Sequence, residues 1–455
     1  MPRIPARSRS AVHSKPRRRR RMADSLDVYL CGSMVATITR RGDNLTLRYL
    51  EDYVQTDQAI PISTQLPVVA GVAPAEKTKR FLENLLPDRP DVRERWARKA
   101  GLDNASAFDL LSVYGADVAG ALEFYPAGIG RRSSAGVSPV SDEGIAERIR
   151  QIRIDDTNWL ERHPIEEGFS LGGAQGKFAL ARIANQWFEP TGQQPSTHIF
   201  KPGVRNLDGS DITEHITMQV ARLLDLDVAN TEILQFNGEH VLVVERFDRV
   251  FQDGHLVRLH QEDLAQATGT SYLKKYERDA GPTYLDIFAV FDRDLDPKRA
   301  REAKKRFAEC LVFSWIIGHN DGHSKNYSIT HLPEESYLSP FYDLNTALVF
   351  ALPEAVLAKN YEVYDSFELA FTVGGASTIG EFGAASLRTL ELDAHLPADS
   401  LLVFALYVAA NLQAVVAKVI EALPGHMQDI PSVELYPYAT FAQTRRVVDL
   451  LADSL

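Results

Sequence analysis

The hydrophobic period changes once along this chain, near residue 260, and that change limits the folds open to it. Between about 165 and 250, apolar residues recur at every second position in short runs: "KFALARI", "STHIFKPG" and "TEILQFNGEHVLVVERFDR". A period of two places alternate side chains on opposite faces of a strand. Asn237-Gly238, inside the last run, is a pair that closes a two-residue hairpin. One stretch of this block, "DITEHITMQVARLLDL", has helical spacing instead, with Ile216, Val220, Leu223 and Leu224 on one face. Beyond 260 the helical period takes over. "DPKRAREAKKRFAECLVFSWIIG" runs from a proline near its start to Gly318, a start and a stop for one long helix. A β-rich block followed by a mostly helical one makes the chain α+β.

Ahead of these lies a second, smaller α+β pattern. "LDVYLCGSMVATITRRGDNLTLRYL" reads as short strands broken at Gly32 and at Gly42-Asp43-Asn44. "EKTKRFLENLLPDRPDVRERWARKAGL" reads as two helices split at Pro87, and "SAFDLLSVYGADVAGALEFYP" as a helix, a turn and a strand. "AGIGRRSSAGVSPVSDEG" is polar and rich in Gly and Ser, as a linker would be. The expected divisions are a basic tail over 1–21, an α+β unit over 22–127, a connecting segment over 128–164, a β-rich lobe over 165–250 and a helical lobe over 251–455.

Charge and cysteine content narrow the setting. Residues 1–21 carry nine Lys/Arg and no acid; without them 41 basic residues face 61 acidic ones, a formal −20. An acidic body is a poor general surface for nucleic acid, while the tail "KPRRRRR" could bind nucleic acid or an acidic membrane face. Strand-like alternation begins only at Met22, so residues 1–21 are expected to be a disordered tail or an extension ahead of the true start. The two cysteines, Cys31 and Cys310, form no disulfide framework and no cysteine zinc site, and fit a reducing cytoplasm. No continuous apolar run reaches the roughly 18–20 residues that span a bilayer, and no membrane association is expected. Leu401 to Ala410 reads as a buried helix.

"HNDGHSKN", residues 319–326, admits two chemistries. His319 and His323 stand four apart, as in a zinc site on a helix. That reading needs a continuous helix, yet Gly318 should already have stopped one, and Asn320-Asp321-Gly322 is a turn sequence. The other reading is phosphoryl transfer. There an aspartate faces the attacking hydroxyl, an asparagine five residues later helps hold Mg²⁺, and a later aspartate holds it too. Asp321, Asn326 and Asp343 (in "SPFYDLNTA") have that order. "YSITHLPEESYLSPFYD" reads as a hairpin that would return Asp343 to the loop. Each of these residues could equally cap a turn.

Phosphoryl transfer also needs a grip on a triphosphate. "SLGGAQGK", residues 170–177, departs from both the Walker loop and the kinase glycine loop. Even so, Gly172, Gly173 and Gly176 would let backbone N–H groups approach phosphates. The same glycines would serve a plain hairpin. Lys201 ends the strand "THIFK", and Glu214 opens the following helix as its candidate partner. "VVERFDR", 243–249, is a strand leading towards the helical block.

Together these stretches resemble the HipA family of bacterial serine/threonine kinases, toxins of type II toxin–antitoxin systems. "FLENLLPD", "FDLLSVYGADVAGAL", "SLGGAQGK", "THIFKP", "VVERFDR", "QEDLAQATG", "HNDGHSKNYS" and "SPFYDLNTA" occur in the family's order, from about residue 26 onward. The resemblance implies a bilobal, protein-kinase-like fold with an added N-terminal subdomain, and ATP and Mg²⁺ as cofactors. It implies Asp321 as the catalytic aspartate and Asn326 and Asp343 as magnesium ligands. ATP would meet Gly172, Gly173, Ala174, Gln175, Lys177, Lys201 and His323, with Glu245 and Phe247 at the adenine and Asp248 near the ribose. Ser170 matches the serine that members autophosphorylate, which limits their own activity. The implied partners are a protein substrate, an aminoacyl-tRNA synthetase in the best-known relatives, and a small helix-turn-helix antitoxin of the HipB type that brings DNA indirectly. Family members often carry an acid where Gly176 stands, so this loop should be more flexible and less negative. Two other functions stay open on the residues alone: a catalytically weak scaffold that binds a repressor, and a small-molecule kinase on the same fold.

Overall fold

The computed structural model describes residues 24–57, 59–131, 135–158, 172–351 and 361–452. The basic tail and Ser170 lie outside them. The first unit is a four-stranded antiparallel sheet in the order β3-β2-β1-β4, formed by β1 Ser25–Leu30, β2 Ser33–Arg41, β3 Asn44–Tyr49 and β4 Leu122–Pro126. Cys31 and Gly32 both have positive φ (48° and 85°), the twist a two-residue hairpin needs between β1 and β2. Helices Ala75–Asn84, Pro90–Ala100 and Ala107–Tyr114 complete the unit, and the proline-bearing break at 87 separates the first two as expected.

The second sheet has six strands in the order β5-β7-β6-β8-β10-β9. They are β5 Ala135–Pro139, β6 Phe178–Ile183, β7 Gln186–Gly192, β8 His198–Lys201, β9 Thr231–Phe236 and β10 Glu239–Glu245. Asn237 and Gly238 turn the last hairpin with φ of 45° and 89°. The connecting segment over 128–164 is therefore more than a linker. It supplies β5, on the sheet edge where Pro139 is tolerated, and the helix Asp142–Ile154. Ser141 caps that helix by accepting from the Gly144 N–H, and Ile145, Ile149 and Ile152 are its buried stripe. The Gly/Ser-rich stretch ahead of it is what resembled a linker.

One apolar cluster joins the first unit, the Asp142–Ile154 helix and the inner face of the second sheet, through residues such as Trp96, Ile149, Phe178 and Phe200. A second cluster runs from the helix Ser210–Leu223 to the C-terminal helices. The helix Pro297–Ile317 is its axis, with Phe307, Trp315 and Ile316 fully buried. Ser400–Glu421 packs on it, burying Leu401, Ala405, Val408, Leu412, Val416 and Val419. Val403 and Tyr407 point outward, so the expectation of a wholly buried helix over Leu401–Ala410 holds for one face alone. Among the described residues, only this helix is long and apolar enough to cross a membrane, with mean hydropathy 1.9 over 18 residues.

Candidate active site

Helix ends position the loop at 319–326. Asp296 caps Pro297–Ile317 by accepting from the N–H groups of Lys298 and Arg299 (2.9 and 3.1 Å). Gly318 ends the helix with φ 69°, its N–H donating to the Ser314 and Trp315 carbonyls. No helix continues through His319 and His323. His319 is buried and Nδ1 donates to the Asn345 carbonyl (2.8 Å). Burial lowers the pKa of both rings, that of His323 to about 4 with Lys275 adding to the effect. His323 is therefore neutral and brings no positive charge to a phosphate. With the helix ended at Gly318, His319 and His323 do not share a helical face, so the geometry of the zinc reading is not formed.

The aspartate–asparagine reading gains a geometry. Asp321 lies at the open end of the loop, its side chain 63 % exposed. Five residues on, the Asn326 amide Nδ2 donates to the Asp321 carbonyl (2.8 Å), which closes the loop and leaves Oδ1 as the atom suited to a cation. Strands Ser328–His331 and Ser336–Leu338 then pair antiparallel and return the chain, as expected. The Tyr342 hydroxyl donates to the Lys325 carbonyl (3.0 Å), which ties the returning segment to the loop. Asp343 follows in a left-handed conformation (φ 59°), which aspartate tolerates better than most residues.

Asp343 meets the second sheet through Lys201. The Lys201 ammonium, at the end of β8, donates to Glu214 Oε1 on the helix Ser210–Leu223 (2.7 Å) and to Asp343 Oδ1. Lys201 and Glu214 are drawn from water, while a third of the Asp343 side chain stays exposed. Burial alone would discharge Lys201, but Asp343 and Glu214 outweigh it and hold its pKa above the ordinary value. Asp343 is opposed by burial as well, yet Lys201 and Lys177 keep its carboxyl low. Burial dominates at Glu214, whose pKa is raised. A strand lysine, a helix glutamate and a loop aspartate are thus one electrostatic unit.

The described part of the glycine-rich loop packs beside this unit. Lys177 is buried and donates to the Gly172 carbonyl (2.8 Å), and desolvation takes its pKa down to about 8. Gln175 Nε2 donates to the Pro202 carbonyl (3.1 Å), Ala174 is exposed and Gly176 is buried. A Cβ on Gly172 would come 3.1 Å from the Asn84 carbonyl and 3.4 Å from the Lys325 ammonium. One on Gly173 (φ 101°) would come 2.9 Å from the Lys177 ammonium. The glycines are needed here for close approach by the protein's own groups.

At the strand end, Glu245 is exposed and accepts from Asn230 Nδ2 (2.8 Å), while Phe247 stacks on Tyr342 with ring centroids 5.7 Å apart. Asp248, the residue expected near a ribose, lies in a buried ion-pair network. It is 2 % exposed and paired with Arg246 (2.9 Å) and Arg249 (3.1 Å), and it accepts from Gly120 N and Gln261 Nε2. Its oxygens are committed to holding the first unit against the lobe connection. Three residues beside the loop had no sequence signal: Tyr276, whose hydroxyl donates to Asp321 Oδ1, and Lys275 and Asp88, which pair at 3.0 Å. Asp88 closes the quoted string "FLENLLPD", but nothing in its spacing ties it to residues 200 positions away.

Asn326 and Asp343 offer oxygen donors, the ligand type that magnesium takes. The described geometry has relatives. The model for the HipA-like C-terminal domain matches residues 169–422, and that for the HipA N-terminal domain matches 26–125. "Putative kinase Y4mE" of Sinorhizobium fredii is 31 % identical over 382 residues, 81 % of this chain and 85 % of that protein. The serine/threonine-protein kinase toxin HipA of Shewanella oneidensis is 27 % identical over 423 residues, 88 % and 90 % of the two chains. A solved complex of Shewanella oneidensis HipA, HipB and operator DNA matches with TM-score 0.77 and 25 % identity, over 94 % of this chain and 98 % of that one. The α+β fold is the bilobal, kinase-like one, and the chain belongs to the HipA family of serine/threonine kinases.

Proposed function

We propose that this protein transfers the γ-phosphate of ATP to a serine or threonine hydroxyl of a cellular protein and thereby arrests growth. The observation that carries this reading is the convergence of Asp321, Asn326, Asp343 and the Lys201–Glu214 pair from four separate segments. In this reading Asp321 orients the attacking hydroxyl and accepts its proton. Lys201 steadies the phosphates of the nucleotide, and Lys177 adds charge at the glycine turn. Asn326 and Asp343 would hold Mg²⁺, which when bound neutralises charge on the phosphate oxygens. The Glu245–Phe247 backbone takes the adenine. Transfer to a protein in the cytoplasm, with an aminoacyl-tRNA synthetase as the substrate class and translation as the process stopped, follows the family resemblance. So do autophosphorylation at Ser170 as a brake and a HipB-type helix-turn-helix antitoxin as partner. The relative seen with HipB and operator DNA supports the last of these.

The test is growth and phosphoproteome together. Cells expressing the wild type should stop growing and gain phosphoserine or phosphothreonine at one or few protein sites, and cells expressing Asp321→Ala should do neither. Arrest by both proteins, with no new phosphosite, would favour a scaffold over a kinase.

A further inference from the structure

Phosphoryl transfer as described leaves "FLENLLPD" unused, yet its end lies inside the site. The chain from Asn84 to Asp88 passes between the glycine-rich loop and the loop that carries Asp321. The Asp88 N–H donates to the Gly173 carbonyl (2.9 Å), and Pro87 pairs with Gly173 as a parallel bridge. The Asn84 carbonyl accepts from the Lys325 ammonium (3.1 Å). The Asp88 carboxylate then takes two cations at once, Lys325 on Oδ1 (2.6 Å) and Lys275 on Oδ2 (3.0 Å). Both Asp88 and Lys325 side chains are under a tenth exposed. Burial would raise the Asp88 pKa, but Lys325 and Lys275 overcome it and hold the acid ionised, well below its usual range.

We infer that Asp88 is a positioning residue for phosphoryl transfer that acts through Lys325. The inference rests on the kinase reading above. Lys325 stands four residues after Asp321, and its ammonium reaches the Gly172 turn. A lysine has four rotatable bonds and no preferred direction of its own. Here a carboxylate and a carbonyl, both from the N-terminal unit, fix it against the phosphate-binding turn. Lys275 takes the opposite oxygen, so one carboxylate charge is shared by two ammonium groups. Without Asp88 two ammonium groups would face each other in a buried space, and Lys325 would keep a single carbonyl partner. The N-terminal unit thus supplies part of the active site, and the short approach of Asn84 explains why position 172 is a glycine.

The experiment is a double-mutant cycle on the full chain with Asp88→Asn, Lys325→Met and both together. The readout is the rate of γ-phosphate transfer from labelled ATP to cell-extract protein at saturating ATP and Mg²⁺, normalised to the folded fraction from a melting curve. If Asp88 acts through Lys325, each single substitution lowers the rate about tenfold or more, and the double is no slower than the slower single. A single-site Asp88→Asn rate near wild type would overturn the inference, as would a double whose loss is the product of the two singles. If Asp88→Asn does not fold, Lys325→Met alone decides, because a wild-type rate in that variant removes the residue through which Asp88 is said to act. Absence of transfer by the wild type would be a failure of the kinase reading instead, and is recognised by that control.

Discussion

Lys201 and Lys177 are both buried lysines in one cleft, and their surroundings drive them in opposite directions. Two carboxylates hold Lys201 charged across the whole physiological range. At Lys177 burial outweighs the pull of Asp343 and leaves the pKa at about 8. The sign of the pH effect follows. Phosphate binding favours the ammonium, which is present below pH 8 and is lost as pH rises through it. ATP affinity, measured by calorimetry, should fall about tenfold between pH 7 and pH 9, and Lys177→Arg should remove that dependence because guanidinium keeps its proton. Gly172→Ala should slow transfer by displacing Lys325 or the Asn84 carbonyl, with ATP kinetics as the check. The loop, the strand end and the returning hairpin that carry Asp321, Asn326, Lys201 and Asp343 were legible because their signals are local: a turn, a spacing of five, a strand end before Pro-Gly. The pairing of Asp248 with Arg246 and Arg249, across to Gly120, was not legible because a burial-driven ion-pair network has no trace in spacing. Asp88 and Tyr276 reach Asp321's loop only through tertiary packing.

At the scale of elements, the stop at Gly318 decides which chemistry the loop can do. Its φ of 69° and the Leu348 side chain, 2.5–2.8 Å from where a Cβ would stand, both exclude a larger residue. Gly318→Ala should therefore destabilise the protein by roughly 1–3 kcal/mol in denaturant unfolding, and lower activity with it. Long elements with clear punctuation could be read in advance, including this helix with Pro297 and Gly318 at its ends and the Asn237-Gly238 hairpin. The helix Asp142–Ile154 could not, since its apolar stripe is narrow and its Gly/Ser-rich approach resembled a linker. Ser400–Glu421 showed the converse limit. Its sequence is apolar around most of its circumference, so the pattern did not reveal that only one face packs.

Across the whole molecule, a buried charge network joins the N-terminal unit to the lobes. Asp117 faces Arg249 (2.8 Å), Arg258 (3.3 Å) and Arg246 (3.4 Å), and it also accepts from the Ser196 hydroxyl (2.6 Å). Burial opposes its ionisation, but the three arginines hold its pKa far below the ordinary value. Removing that one charge would leave three buried guanidinium groups short of a partner. Asp117→Ala should cost about 3–5 kcal/mol in denaturant unfolding, far more than an exposed pair would. The same attachment sets Asn84–Asp88 beside the glycine turn, so the fold of the N-terminal unit and the chemistry of the cleft are not separable. The measurement that bears most directly on this account is transfer of labelled γ-phosphate from ATP–Mg²⁺ to serine or threonine in cell-extract protein by purified wild type and Asp321→Ala. The expected result is transfer by the wild type and a loss of at least about 100-fold in Asp321→Ala with ATP still bound. No transfer by the wild type, or equal transfer by the variant, would contradict it.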